Sequence, residues 1–215
     1  DTIIPFEPLW EQYERIIKDN GAIVLFGSQP FTGALIMSNS KLFKYEWIWV
    51  KNLPTGFALA KRQPMKSHEN ILVFYKAQPV YNKQPTKSKI KDRKLGGSNG
   101  IRAEAKQSGV YGGLKTKQEE IILKENVSPR SVLEINCVPR STGTLHPTQK
   151  PVALFEYLIK TYTNENELVL DNCIGSGTTA IAALNTGRQF VGIELEKEYV
   201  DIANQRIQDL KNNIN

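Results

Sequence analysis

Asp171-Asn172-Cys173-Ile174-Gly175-Ser176-Gly177-Thr178-Thr179-Ala180 is the stretch whose residue types and spacing can do chemistry. Glycines between a strand and a helix let the backbone turn sharply and come close to a ligand. A ligand held in such a turn sits at the carboxyl end of a sheet. Read as a pattern, Gly175-x-Gly177-x-x-Ala180 also fits the dinucleotide fingerprint, with Glu194 at the next strand end as the acid that holds a ribose.

The carboxylate four residues ahead of the first glycine argues against a dinucleotide. Beside a pyrophosphate Asp171 is repulsive; beside a cationic amino-acid group it is attractive. S-adenosylmethionine carries an ammonium and a sulfonium and no phosphate, so the ligand chemistry favours it over NAD. A P-loop is excluded, because no Gly-Lys-Ser/Thr follows. Two plainer readings stand beside these. Asp171 can serve only to cap the helix, and Glu194 can be a surface acid ahead of the acidic helix start Glu196–Glu198.

A second stretch, His146-Pro147-Thr148-Gln149-Lys150-Pro151, lies directly before a helical pattern. Pro151 suits a first helical turn, Thr148 is a candidate cap, and the amides of that helix start can take a carboxylate. Against this, Lys150 reads equally as a surface lysine and His146 as a loop histidine. The two cysteines, Cys137 and Cys173, and the two histidines, His68 and His146, fit no metal-ligand spacing. Both cysteines read as buried thiols of a reducing cytosol rather than a disulfide scaffold.

The elements that must position these residues are those of an α/β chain. In residues 1–51, Leu9, Trp10, Tyr13, Ile16 and Ile17 recur at helical spacing until Asn20-Gly21. Ala22–Phe26 reads as a strand covered on both faces, Pro30–Asn39 as a helix and Tyr45–Val50 as a strand. In residues 146–215, Pro151–Tyr162 reads as a helix, Glu167–Asp171 as a strand, Gly177–Gly187 as a helix, Phe190–Glu194 as a strand and 196–211 as a helix. Strand, glycine-rich turn, helix, strand, helix is a right-handed crossover unit.

Residues 52–145 differ in composition, though Ile71–Tyr75 still reads as a strand. The whole chain of 215 residues carries a net charge of +6. Positions 76–130 hold 13 lysines and arginines against 5 acids, so the basic character is concentrated there. Lys83, Lys87, Arg93, Lys94 and Arg102 are the candidates for phosphate contact. A solvated, irregular insertion is the plainer reading of such a lysine-rich stretch. No apolar run approaches the ~20 residues that a membrane helix needs.

His146–Pro151 followed by Asp171–Thr179 resembles the β-class amino-methyltransferases of DNA. In that family a basic target-recognition region precedes a His-Pro-Thr-Gln-Lys-Pro-like motif, and the cofactor loop Asp-Pro-Phe-x-Gly-Ser-Gly-Thr-Thr follows it. Asn172 and Cys173 stand where Pro and Phe are commoner. Pro129–Leu133 and Trp49-Val50-Lys51-Asn52 also resemble family segments. The resemblance implies a Rossmann-like methyltransferase fold, with a mostly parallel twisted sheet and an inserted target-recognition region. Its parts would be a catalytic-domain half at 1–51, the basic region at 52–145 and a cofactor-binding half at 146–215. It implies S-adenosylmethionine as methyl donor and adenine in duplex DNA, less often cytosine, as acceptor, with the base flipped into the pocket. Carried over by position, Asp171, Asn172, Cys173, Gly175, Ser176, Gly177 and Thr178 surround the methionine part, and Glu194 holds the ribose. His146, Thr148, Gln149, Lys150 and Pro151 close over the amino-acid end. A cytoplasmic setting, a homodimer and a cognate restriction endonuclease or phage origin are compatible with it.

An exocyclic amine is a poor nucleophile, because its lone pair is delocalised into the ring. The family meets this with a tetrapeptide, Asp/Ser/Asn-Pro-Pro-aromatic. These 215 residues contain no Pro-Pro pair, so no catalytic residue is nominated among them. The tetrapeptide is expected upstream of Asp1, on a strand of its own, and the sheet is therefore expected to be interrupted. A non-catalytic paralogue that binds cofactor and DNA is the alternative.

Overall fold

A computed structural model describes residues 3–84, 86–88, 124–138 and 149–214. They form two compact units, one of residues 1–84 with 130–215 and one of residues 85–129. In the smaller unit, β4 (Thr86–Ser88) pairs antiparallel with β5 (Lys124–Val127).

The larger unit opens with α1 (Phe6–Ile16), β1 (Ile23–Gly27), α2 (Phe31–Ser38), β2 (Phe43–Thr55) and β3 (Lys66–Phe74). It continues with β6 (Val132–Glu134), α3 (Val152–Tyr162), β7 (Leu168–Asp171), α4 (Thr178–Asn185), β8 (Gln189–Gly192) and α5 (Lys197–Ile214). The elements read from the sequence are present within a few residues of their expected ends. Where a mostly parallel sheet is expected, the ladders are mixed. β1 and β2 both pair antiparallel with β3, while β2–β6 and β7–β8 are parallel. The cause is the β2–β3 hairpin, which folds β3 back between β1 and β2.

β3 explains its own composition. Ile71 and Val73 face Trp47, Trp49, Leu133 and the α3 residues Leu154, Leu158 and Tyr162. Leu72 and Phe74 face Trp10, Ile23 and Leu35 on the other side. A strand covered on both faces is apolar at every position, and Ile71–Phe74 is fully buried. Two aromatic polar atoms find partners within the core, whereas the Tyr157 hydroxyl is buried without one among the described residues. Trp47 Nε1 donates to the Tyr162 hydroxyl at 2.7 Å, and Trp49 Nε1 to the Ile135 carbonyl at 2.8 Å.

The expected interruption is present among the described residues. The four-stranded sheet runs β1-β3-β2-β6 and the second sheet β7-β8, with no ladder between β1 and β7. Both strands start at one end, because Lys18 Nζ, ahead of β1, lies 3.7 Å from Glu167 at the foot of β7. Helices hold the two sheets together. On one side α3 gives Leu154 and Leu158 to the larger sheet, and Val152, Phe155 and Ile159 to a cluster with Val169 and Phe190. On the other side the Tyr13 hydroxyl of α1 donates to Asn172 Oδ1 at 2.8 Å. One face of β7–β8 is left open, with Leu168, Leu170, Val191 and Ile193 all exposed.

A buried charge cluster closes the β2–β3 side. Lys51 Nζ lies 3.2 Å from Glu69 Oε1, and its side chain is only 7% exposed. Lys150 Nζ lies 3.7 Å from Glu69 Oε2 and 4.7 Å from the centre of the Phe26 ring. Removing one partner of a buried pair leaves an uncompensated charge, a cost of ~3–5 kcal/mol when burial is complete. Glu69→Gln is therefore expected to lower the unfolding free energy by about 3 kcal/mol in urea titration. Lys150→Met, at the more open end, should cost less than about 1 kcal/mol. Equal losses would show that burial of Lys51 is not what makes Glu69 necessary.

Candidate cofactor site

β7 ends at Asp171, and the chain then turns through Gly175 (φ 52°) and Gly177 (φ 83°) into α4. Both glycines have the left-handed backbone that side chains disfavour. The turn is held from within. The Cys173 amide donates to Asp171 Oδ1 at 3.0 Å, and the Thr179 hydroxyl donates to Asp171 Oδ2. Asp171 thus ties the start of the turn to the first turn of α4.

Glu194, just past β8, holds the other side. Its Oε2 accepts from the Gly175 amide at 2.8 Å, and its Oε1 accepts from the Leu195 and Glu196 amides at 2.9 and 3.1 Å. Backbone bonds from Ile174 N to Ile193 O and from Ile193 N to Asp171 O lace the two strand ends together. The result is a partly exposed, internally hydrogen-bonded turn between two carboxylates. A carboxylate offers about four lone-pair sites, and these bonds take two of those on Asp171 and three of those on Glu194.

Asp171, Asn172, Cys173, Gly175 and Glu194 are thus gathered at one place. Ser176 and Thr178 are buried beneath the turn. Arg206 of α5 reaches Ser176, donating to its carbonyl and, at 3.3 Å, to its hydroxyl. Burial lowers the Arg206 pKa. Neither cysteine is the buried thiol expected, since Cys137 is half-buried and Cys173 exposed at the tip of the turn; partial burial, then the charges of Asp171 and Glu194, push the Cys173 thiol up, so it stays protonated near neutral pH. Pro151 is buried ahead of α3, and Lys150 is turned to Glu69 and Phe26. His146 and Thr148 lie outside the described residues, as do Arg93, Lys94 and Arg102. Lys83 is exposed, and Lys87 lies in β4.

Sequence reasoning missed Thr179, Tyr13 and Arg206. Thr179 carried a signal, being a hydroxyl at the second helical position after the glycines. Tyr13 carried none beyond its place on the apolar stripe of α1. Burial, with the charges of Cys173 and Asp171, raises the Tyr13 pKa from 10.0 to about 12. The folded state therefore keeps a proton that the unfolded chain releases near pH 10. Tyr13 accordingly contributes stability that is complete below pH 10 and is lost as pH rises towards 12. Tyr13→Phe should flatten the fall in stability over that range and remove one late phenol from the alkaline absorbance titration. An unchanged late titration would place the shift on another tyrosine.

A family model described as DNA methylase, of the N6/N4 type, matches residues 4–205. The chain belongs to this family. Among its relatives, the Type II methyltransferase M1.MboII of Moraxella bovis is 32% identical over 99% of this chain and 82% of its own length. M2.LlaDCHI of Lactococcus lactis subsp. cremoris is 50% identical over 62 residues, 29% of this methylase chain. That match spans 23% of the Lactococcus enzyme. The solved complex of M1.HpyAVI with SAM superposes with a TM-score of 0.62 at 28% identity, over 96% of this chain and 84% of that one. The cytosine-N4-specific PvuII methyltransferase shares the fold, with a TM-score of 0.56 at 17% identity.

Proposed function

We propose that this methylase transfers a methyl group from S-adenosylmethionine to the exocyclic amino group of adenine in duplex DNA. The observation that carries the reading is the turn between Asp171 and Glu194. Two carboxylates frame a partly exposed turn there, a setting that attracts an ammonium and repels a pyrophosphate. The solved M1.HpyAVI–SAM complex supports the choice of cofactor. Asp171, Asn172, Cys173 and Gly175 would line the methionine part, and Glu194 would take the ribose. Gln149, Lys150 and Pro151 would close the amino-acid end, with Ser176 and Thr178 supporting the turn from below. The bound cofactor supplies an electrophilic methyl group. The protein's part is to orient it and to keep water from it.

Activation of the amine calls for a polar-Pro-Pro-aromatic segment, which these residues do not contain. Among the described residues, β1 and β7 each keep one edge without a ladder partner. The lack of the segment in the present sequence is also what favours a second reading, a cofactor- and DNA-binding paralogue without activity. A cytoplasmic setting, a homodimer and a cognate restriction endonuclease belong to the proposal as well.

The test is methyl transfer from labelled S-adenosylmethionine to unmethylated duplex DNA, with the nucleosides then identified by mass. The 215-residue chain is compared with a form extended upstream. Methyladenine from the extended form alone is the expected result. Methylcytosine would keep the chemistry and change the base. Cofactor binding with no transfer from either form would select the inactive paralogue.

A further inference from the structure

The β2–β3 hairpin carries a surface that neither the cofactor site nor the basic stretch 76–130 includes. Regular pairing runs to Val50 opposite His68 and resumes at Thr55 opposite Lys66. Beyond the buried Lys51, every residue from 52 to 64 is exposed. Phe57, in a single 3-10 turn at the tip, is 82% exposed, and Leu53 and Leu59 are exposed beside it. Residues 52–68 contain Lys61, Arg62 and Lys66 and no acid.

An aromatic ring held in water at the end of a hairpin has no role in this chain's own core. Soluble surfaces rarely group large apolar side chains unless a partner covers them. A ring flanked by cations matches nucleic acid, which offers phosphates to the cations and, at a base step that an apolar wedge partly unstacks, a base face to the ring. A second copy of the tip would meet it with like charge.

Resting on the reading of the protein as a DNA methylase, we propose that this tip is a second DNA-contacting element. Lys61, Arg62 and Lys66 take duplex phosphates, and Phe57 wedges against a base step. The tip thereby adds affinity for DNA independently of the stretch 76–130.

The experiment uses two variants, Phe57→Ser and Lys61→Gln/Arg62→Gln, each made in the upstream-extended form and checked for unchanged thermal unfolding. Binding to a duplex of mixed sequence is measured across salt concentrations, and transfer is measured with S-adenosylmethionine. Each lost phosphate contact lowers the slope of log K against log salt by ~0.9, so the double variant should lose about 2 from that slope. Phe57→Ser should raise the KM for DNA about tenfold through the loss of a base contact, with the KM for S-adenosylmethionine unchanged. An unaltered slope and DNA KM, in a protein that still transfers methyl, would overturn the tip alone. A parent protein that neither binds duplex nor transfers would overturn the methylase reading and the tip with it. A change of oligomeric mass in Phe57→Ser with DNA KM unaltered would assign the tip to a second copy and overturn the proposal.

Discussion

Asp171→Asn is expected to raise the dissociation constant for S-adenosylhomocysteine by at least about 100-fold, read by calorimetry on a protein that remains folded. The reasoning starts from its two bonds. The Cys173 amide and the Thr179 hydroxyl both donate to the carboxylate, one to each oxygen. An amide offers one acceptor oxygen and turns an NH2 towards the other donor, which costs ~1–3 kcal/mol. It also removes the charge that an ammonium would meet, a hydrogen bond worth ~1.5–3 kcal/mol. Thr179→Val separates the two contributions. It deletes a single donor and keeps the carboxylate, so a loss of less than about tenfold is expected. Equal losses in the two variants would show that Asp171 acts only by shaping the turn.

Gly177→Ala is expected to destabilise the protein by about 2–5 kcal/mol. The backbone there has φ 83°, which costs an alanine ~1–2 kcal/mol. The added Cβ would also stand 2.9 Å from Ala203 Cβ and 3.1 Å from Ala203 Cα. Those atoms belong to α5, whose backbone cannot swing aside as a long side chain can, and overpacking of this kind costs ~1–3 kcal/mol. For a chain of this size each kcal/mol moves Tm by ~2–4 °C, so a fall of about 10 °C is expected. Gly56→Ala is the control. Its φ is 90°, but a Cβ there meets nothing within 4 Å. A similar loss in both would mean that backbone conformation, and not contact with α5, sets the cost.

The contrast between these glycines shows what a sequence discloses. The turn at 171–180 was legible because a strand end, two glycines and a helix start must follow one another along the chain. The run Ile71–Phe74 was legible because burial on both faces leaves no polar position. What escaped are pairings between residues far apart. Tyr13 meets Asn172, Arg206 meets Ser176, and Lys51 meets Glu69 with Lys150. No periodicity announces such partners. β6 escaped for another reason, since three residues are too few to show alternation. The length of β2 escaped because its apolar run Tyr45–Val50 ends there, whereas the strand continues through the exposed residues 52–55.

The open face of β7–β8 bears on how firmly the cofactor turn is held. Two strands alone are marginal in water, and Leu168, at 57% exposed, contributes little burial to them. The amides of this pair should therefore exchange with solvent by local opening, while those of β3 wait for global unfolding. A ligand bridging Asp171 and Glu194 fastens both strand ends at once. At a hundredfold excess over its dissociation constant it deepens protection there by ~2.7 kcal/mol. Cofactor saturation and the order of this part of the molecule are then a single equilibrium, and the supply of methyl donor governs both.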